Sequence, residues 1–310
     1  MTTNKLSSIS SLIELLGLPP LEPRDLPSLM KSLFGVCAFL LSSFREDLQN
    51  LLQEPDAIVP VNKFEELEVD ALRAVADSFK MMAIGPLVPS VLLHGKDSAD
   101  SCNYDYTEWL DSRPESSVIY VSFGSLCVLS KRQMEEIARG LIDSERPFLW
   151  PIREEKEQEK VSEYMEEMEG KGKIVRWCEQ AEILSHRSLG CFVSHCRWNS
   201  SLEILAAGVP VLGVPQWGDQ TTNSMLMEQV WKTGVRERVT DDGEIVGADE
   251  IRRCVEKVIR NPEKERDMRK NMARWRWREV SREAMKEGGS SNSNIRAFLD
   301  GISLVAAPHS

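Results

Sequence analysis

The residues best equipped for chemistry fall between positions 177 and 220. The run Ser194-His195-Cys196-Arg197-Trp198-Asn199-Ser200-Ser201-Leu202-Glu203 follows an apolar stretch and places His, Asn and Ser where a helix should begin. Free N–H groups and the positive end of a helix dipole favour phosphate there. Asn199 or Ser200 could equally be a plain N-cap. A second cluster, Pro215-Gln216-Trp217-Gly218-Asp219-Gln220, offers the acceptors and donors that grip sugar hydroxyls, although Asp219 also suits a helix cap. Ser122-Phe123-Gly124-Ser125 ends an apolar run with a small turn that lets backbone N–H groups approach an anion. Such Ser-Gly turns are also common without any ligand. Trp177 could stack on a base or plug a core.

Other chemistries lack their spacing. His186, Cys191, His195 and Cys196 are metal-ligand types, but their intervals match no zinc pattern, and no metal site is expected. The chain holds no Walker-A loop, no GxGxxG and no nucleophile elbow.

The elements that must position these residues alternate. Ser117–Phe123, Phe148–Trp150, Ile174–Val175, Gly190–Ser194 and Val211–Val214 read as strands, with helical stretches between them. Ser130 caps a helix expected over Lys131–Asp143, with Met134, Ile137 and Leu141 on one face. Charge-rich Glu154–Lys173 reads as a solvated helix and loop. This alternation predicts an α/β fold with a doubly wound parallel sheet, whose ligands sit at the carboxyl ends of strands. Upstream, Ala57–Val61 is a short strand and Phe64–Val75 is helical. A polar, Asp- and Ser-rich linker is expected at 94–106. A helix over Ala248–Ile259 is broken by Asn261-Pro262; another runs to about Lys286, and a last one covers Asn292–Leu304 with Ile295, Phe298 and Leu299 on one face.

Composition bounds the class. The 310 residues, 42% hydrophobic and 28% charged, suit a globular chain of about two domains. A net charge of −11 argues against nucleic acid as a partner. The basic stretch Arg266–Arg282 is interleaved with acids, Trp275 and Trp277, as in a solvated helix with partly buried aromatics. No apolar run is long enough to span a membrane, the start lacks a secretory pattern, and seven scattered cysteines fit free cytosolic thiols. The expected compartment is cytoplasmic.

The whole segment from Trp177 to Gln220, WCEQAEILSHRSLGCFVSHCRWNSSLEILAAGVPVLGVPQWGDQ, closely resembles the signature box of plant family 1 UDP-glycosyltransferases. SSVIYVSFGSL and the late GGSS are similar to that family too, and the N-terminal third looks most like its flavonoid and anthocyanidin 5-O-glucosyltransferase branch. The resemblance implies a GT-B fold: residues 1–93 as a remnant of the acceptor-binding domain, 94–106 as linker, 107–286 as a complete Rossmann-like UDP-sugar domain, and 287–310 as a helix packing back. It implies inverting transfer of glucose from UDP-glucose to a hydroxyl or carboxylate of a plant small molecule, by a monomer when intact. UDP-glucose is then a co-substrate, and no cofactor is expected.

By the same resemblance, Trp177 stacks on uracil, Gln180 lies near the ribose, and Glu203 accepts from its hydroxyls. Ser125, His195, Asn199, Ser200 and the Trp198 backbone hold the pyrophosphate, so that helix N–H groups and His195 serve in place of a metal. Asp219 and Gln220 bind the sugar, the Gln favouring glucose.

Three departures stand out. Arg197 occupies a position where the family has Gly, and its side chain is expected to crowd the phosphate. Pro151 falls in the strand Phe148–Ile152 and removes a ladder donor. The family's base is a His near the start of the acceptor domain, oriented by an Asp. None of His94, His186, His195 and His309 occupies that place, so no catalytic residue is assigned and the chain reads as N-terminally truncated. The alternative it raises is a catalytically inactive UDP-sugar-binding fragment.

Overall fold

The computed structural model describes residues 12–31, 36–54, 57–95, 105–238, 245–259 and 265–306. Residues 96–104 of the expected linker, Asn261-Pro262 and His309 lie outside the described residues.

Two parallel sheets form. The smaller pairs β1 (Ile58–Val61) with β2 (Lys80–Ala83) in the register Ile58↔Lys80 to Val61↔Ala83. In the same part of the sequence come α1 (Ser28–Lys31), α2 (Val36–Gln53), α3 (Val69–Val75) and α4 (Ser90–His94). Phe39, Phe44, Leu48 and Leu52 of α2 stand exposed to solvent. The next helix, α5 (Asp105–Asp111), takes in the last two residues of the expected linker, and its Tyr106 is buried.

The larger sheet contains β3 (Val118–Ser122), β4 (Phe148–Pro151), β5 (Lys173–Val175), β6 (Leu189–Ser194), β7 (Val211–Gly213) and β8 (Gly234–Arg236). All neighbours pair parallel in the order β5-β4-β3-β6-β7-β8. The chain winds outward from β3, returns to β6 beside it, and winds out again. Both sheet faces are covered, which explains the uninterrupted apolar strands. Val118 and Tyr120 of β3 pack into one core with Phe192 and Val211, while Ile119 and Val121 pack into the other with Cys191, Val193 and Leu212. The Tyr120 and Phe192 rings stack with centroids 4.8 Å apart.

Helix α6 (Lys131–Asp143) has the expected bounds. Ser130 Oγ accepts the Gln133 N–H at 3.1 Å, and Met134, Ile137 and Leu141 are buried. The charge-rich stretch divides into α7 (Glu155–Lys160), a 3-10 turn and α8 (Met165–Lys171). It is not wholly solvated, because Val161 and Met168 are fully buried in the core that α6 covers. Pro151 ends β4: pairing with β3 stops at Leu149, yet pairing with β5 continues through Pro151↔Val175, so the proline costs one side only.

The remaining helices are α9 (Gln180–Leu184), α10 (Trp198–Ala207), α11 (Gln220–Gln229), α12 (Ala248–Val258), α13 (Glu265–Met285) and α14 (Ser290–Ala306). Of the two tryptophans in the basic stretch, Trp277 is buried and donates Nε1–H to the Trp231 carbonyl at 2.9 Å, while Trp275 is exposed. Helix α14 returns to the small sheet, where Asn294 Nδ2 donates to the Ala83 carbonyl at 2.9 Å. Its Leu299 is 56% exposed, against the apolar face expected of it. Among the described residues no helix is long and apolar enough to cross a membrane.

Candidate functional site

The strand order reverses between β3 and β6, and a cleft opens at their carboxyl ends, where parallel sheets hold ligands. Its larger cavity, about 290 Å³, is lined by Tyr120, Ser125, Gln180 and Ser200 among others. A smaller one of about 160 Å³ is lined by His195, Arg197, Asn199, Trp217 and Gln220. Phe123, Gly124, Ser125, Cys127 and Ser200 line both, so the two form one groove.

Helix α10 aims its N-terminus at this groove. Its N-cap is Arg197, whose side chain makes no capping bond; neither Asn199 nor Ser200 is the cap. The two lie in the first turn, where backbone N–H groups have no intrahelical acceptor. The Trp198 N–H donates to Asp219 Oδ2 at 3.2 Å, leaving those of Asn199 and Ser200 free. The Trp198 ring turns inward, donating Nε1–H to the Asn62 carbonyl at 2.7 Å.

His195 is 5% exposed, and its Nδ1 has no partner. Burial, assisted by the Arg197 charge, lowers its pKa to about 4, so the ring is neutral at pH 7 and can only donate or accept a hydrogen bond. It therefore brings no positive charge of its own to an anion.

Gln180 opens α9 and joins Tyr120 to Glu203. The Tyr120 hydroxyl donates to Gln180 Oε1 at 3.3 Å, and Gln180 Nε2 donates to Glu203 Oε2. Burial raises the Glu203 carboxyl above its ordinary range. Trp177 is 49% exposed, which excludes the core-plug reading; it lines neither cavity, although its neighbour Cys178 lines the larger.

Asp219 and Gln220 are more committed than their spacing suggests. Asp219 Oδ2 ties the two helix starts together, accepting from the Trp198 N–H and, at 2.7 Å, from Asn223 Nδ2. Gln220 is buried, and its Oε1 accepts from the N–H groups of Gln216 and Trp217 at 2.7 and 3.0 Å. That leaves Asp219 Oδ1 and Gln220 Nε2 for a ligand.

The groove also uses groups that spacing did not single out. Tyr120 forms its floor, and Trp217 lies under the Arg197 guanidinium. An indole beside Gly218 in a polar turn was the available signal for Trp217. The His186–Asp111 contact, 3.2 Å, resembles a catalytic pair but lies near the amino end of β6, opposite the groove.

Beyond β8, Glu237 is buried with Oε2 unpartnered, and burial pushes its pKa up to about 8. A carboxyl raised in the folded state stabilises fully below its unfolded pKa, and this is lost as pH rises through the folded value. Glu237→Gln should thus match wild type near pH 4.5 and melt higher than it above pH 8, by roughly 4 °C or more. Thermal melts across pH 4.5–9 check this; a constant offset would contradict it.

Residues 44–273 match the family model described as UDP-glucoronosyl and UDP-glucosyl transferase. The chain is 51% identical over 302 residues to UDP-glycosyltransferase 75C1 of Solanum lycopersicum, covering 93% of this chain and 63% of that protein. It is 48% identical over 297 residues to the anthocyanidin 3-O-glucoside 5-O-glucosyltransferase of Verbena hybrida, covering 92% and 63%. Os79 from O. sativa, crystallised with UDP, superimposes with a TM-score of 0.79 at 35% identity, covering 91% of this chain and 62% of that one. The chain thus spans somewhat under two thirds of each of these proteins' length.

Proposed function

The chain belongs to the UDP-glucoronosyl and UDP-glucosyl transferase family, and from that premise we propose that its groove holds a UDP-sugar donor. The fold is α/β of the GT-B type. The observation that carries the proposal is the convergence of free α10 N–H groups, a neutral buried His195 and the Ser125 turn at the strand-order reversal. Such groups stabilise an oxyanion without prior reorganisation.

In this reading Trp177 stacks on the uracil, and Glu203, steadied by Gln180, accepts from the ribose. Ser125, His195, Asn199 and Ser200 bind the diphosphate, and Asp219 Oδ1 with Gln220 Nε2 bind the sugar. Trp198 contributes only its backbone, through Asp219. The reaction served is inverting transfer of glucose to a hydroxyl or carboxylate of a small molecule such as a flavonoid, the acceptor class that the Verbena relative's name carries. The acceptor oxygen bonds to the anomeric carbon, the bond to the diphosphate breaks, UDP leaves with the electron pair, and a base takes the acceptor's proton.

A second reading is favoured by the histidines. His94 is exposed at the end of α4, His186 lies at the far end of the sheet, and His195 is assigned to phosphate. The described residues thus offer no histidine placed to take the acceptor's proton. For the stretch of protein described, this second reading is donor binding without transfer. A cytosolic location is the accompanying proposal, with which the five described cysteines, all free thiols, agree; a monomer is proposed from the family resemblance alone. To test it, the purified chain is dialysed against UDP-glucose and incubated with a flavonoid panel. Retained donor with no glucoside above blank is expected. Catalytic glucoside formation would overturn the assignment, and absence of retained donor would overturn the groove's role.

A further inference from the structure

Arg197 is the residue that departs from the family's Gly, and its backbone conformation does not require one. Its backbone is ordinary, with φ −67° and ψ 154°. The residue with a positive φ in this turn is its neighbour Cys196, at 60°. A side chain is therefore accommodated at 197 without backbone strain.

That side chain lies over Trp217, with the guanidinium carbon 4.8 Å from the ring centroid, within cation–π range. A guanidinium stacked by its face keeps its edge N–H donors for an acceptor. Among the described residues no carboxylate pairs with it. It is the one cation lining the smaller cavity, which it shares with the free N–H groups of Asn199 and Ser200. His195, also on that wall, is 5% exposed with an unpartnered Nδ1. An unpaired cation beside unsatisfied donors, with no anion of its own, is arranged for an anionic ligand.

We propose that Arg197, held by the Trp217 ring, is an oxyanion-binding residue of the donor groove. The oxyanion is the terminal phosphate of a nucleoside diphosphate or a carboxylate on the transferred sugar, both of which present the planar or forked oxygens that a guanidinium binds in pairs. The inference rests on the donor-groove reading and reverses the crowding expected from sequence.

Calorimetric titration of wild type, Arg197→Ala, Arg197→Gly and Trp217→Leu with UMP, UDP, UDP-glucose and UDP-glucuronate tests it. Melting curves confirm that each variant is folded. A loss of roughly tenfold for UDP but not UMP in Arg197→Ala assigns the phosphate. A tenfold loss confined to UDP-glucuronate, with UDP-glucose unchanged, assigns the carboxylate. In either case Trp217→Leu weakens the same ligand, by a smaller factor. Affinities within twofold for all four ligands, or tighter binding by Arg197→Gly, overturn the proposal. If only Arg197→Gly binds, crowding is correct and the donor reading stands. If no protein binds any ligand, the donor reading falls and the proposal with it.

Discussion

Asp25→Ala is expected to destabilise the chain by about 3 kcal/mol, the cost of leaving a buried charge without its partner. Asp25 is 1% exposed; its Oδ1 accepts from Arg236 Nη1 and its Oδ2 from the Glu22 N–H at 2.9 Å. The Arg236 side chain is 9% exposed, and its other carboxylate, Glu228, is 4.0 Å away and more exposed. Without Asp25 the guanidinium stays desolvated with a poor partner. The melting midpoint should fall by roughly 6 °C or more. Asp25→Ala/Arg236→Met should recover much of it, because an apolar side chain needs no counter-charge. An unchanged midpoint in the single variant would contradict this. The same segment reaches the groove: Thr222 Oγ1 donates to the Asp25 carbonyl at 2.6 Å, the Ser28 N–H to the Gly218 carbonyl at 2.8 Å, and the Gly218 N–H to Ser28 Oγ at 2.6 Å. Weaker donor binding should accompany the loss of stability.

Gly124→Ala is expected to cost donor affinity by roughly tenfold or more, beyond its effect on stability. Gly124 has φ +75°, a conformation that costs about 1–2 kcal/mol for a residue with a Cβ. An added Cβ would also stand 2.9 Å from His195 Nε2. That ring is buried, so it must leave the position from which it lines the groove. Gly95→Ala separates the two effects. Gly95 has φ +85° and nothing within 4 Å of an added Cβ, so it incurs the strain alone. The two variants should melt within a few degrees of each other, and only Gly124→Ala should lose UDP affinity. Equal affinities would show that the turn does not set His195 against the ligand.

Much of this arrangement is readable from local pattern. Ser130 before a 3.6-residue apolar repeat specified α6 to the residue, and a continuous β-branched and aromatic run marked β3, with a mostly apolar run marking β6, because both sheet faces are covered. Strand β8 illustrates the limit: Gly234–Arg236 has one buried side chain and too few residues to show a period. Helix α2 gave no helical signal in the sequence, since its exposed phenylalanines and leucines obscure the amphipathic pattern. In the groove, the types and order of the polar residues pointed to the strand ends, where the structure places the cavities. What spacing could not show was where each polar atom is spent. Asp219 joins two helices, Gln220 folds its carbonyl onto its own loop, and the Trp198 ring is spent on the Asn62 carbonyl. These are contacts between segments distant in sequence, or rotamer choices made by packing. Arg197 makes the same point: a Gly-type position was inferred from the pattern, whereas the positive φ belongs to Cys196.

The central claim is that this groove binds the diphosphate of a uridine nucleotide through helix N–H groups and a neutral histidine. Its most direct test is a calorimetric titration of the wild-type chain with UDP and with uridine at pH 7. Saturable one-to-one binding of UDP, at least roughly tenfold tighter than uridine and lost in Gly124→Ala, is the predicted result. UDP binding no tighter than uridine, or not at all at millimolar concentration, would contradict it.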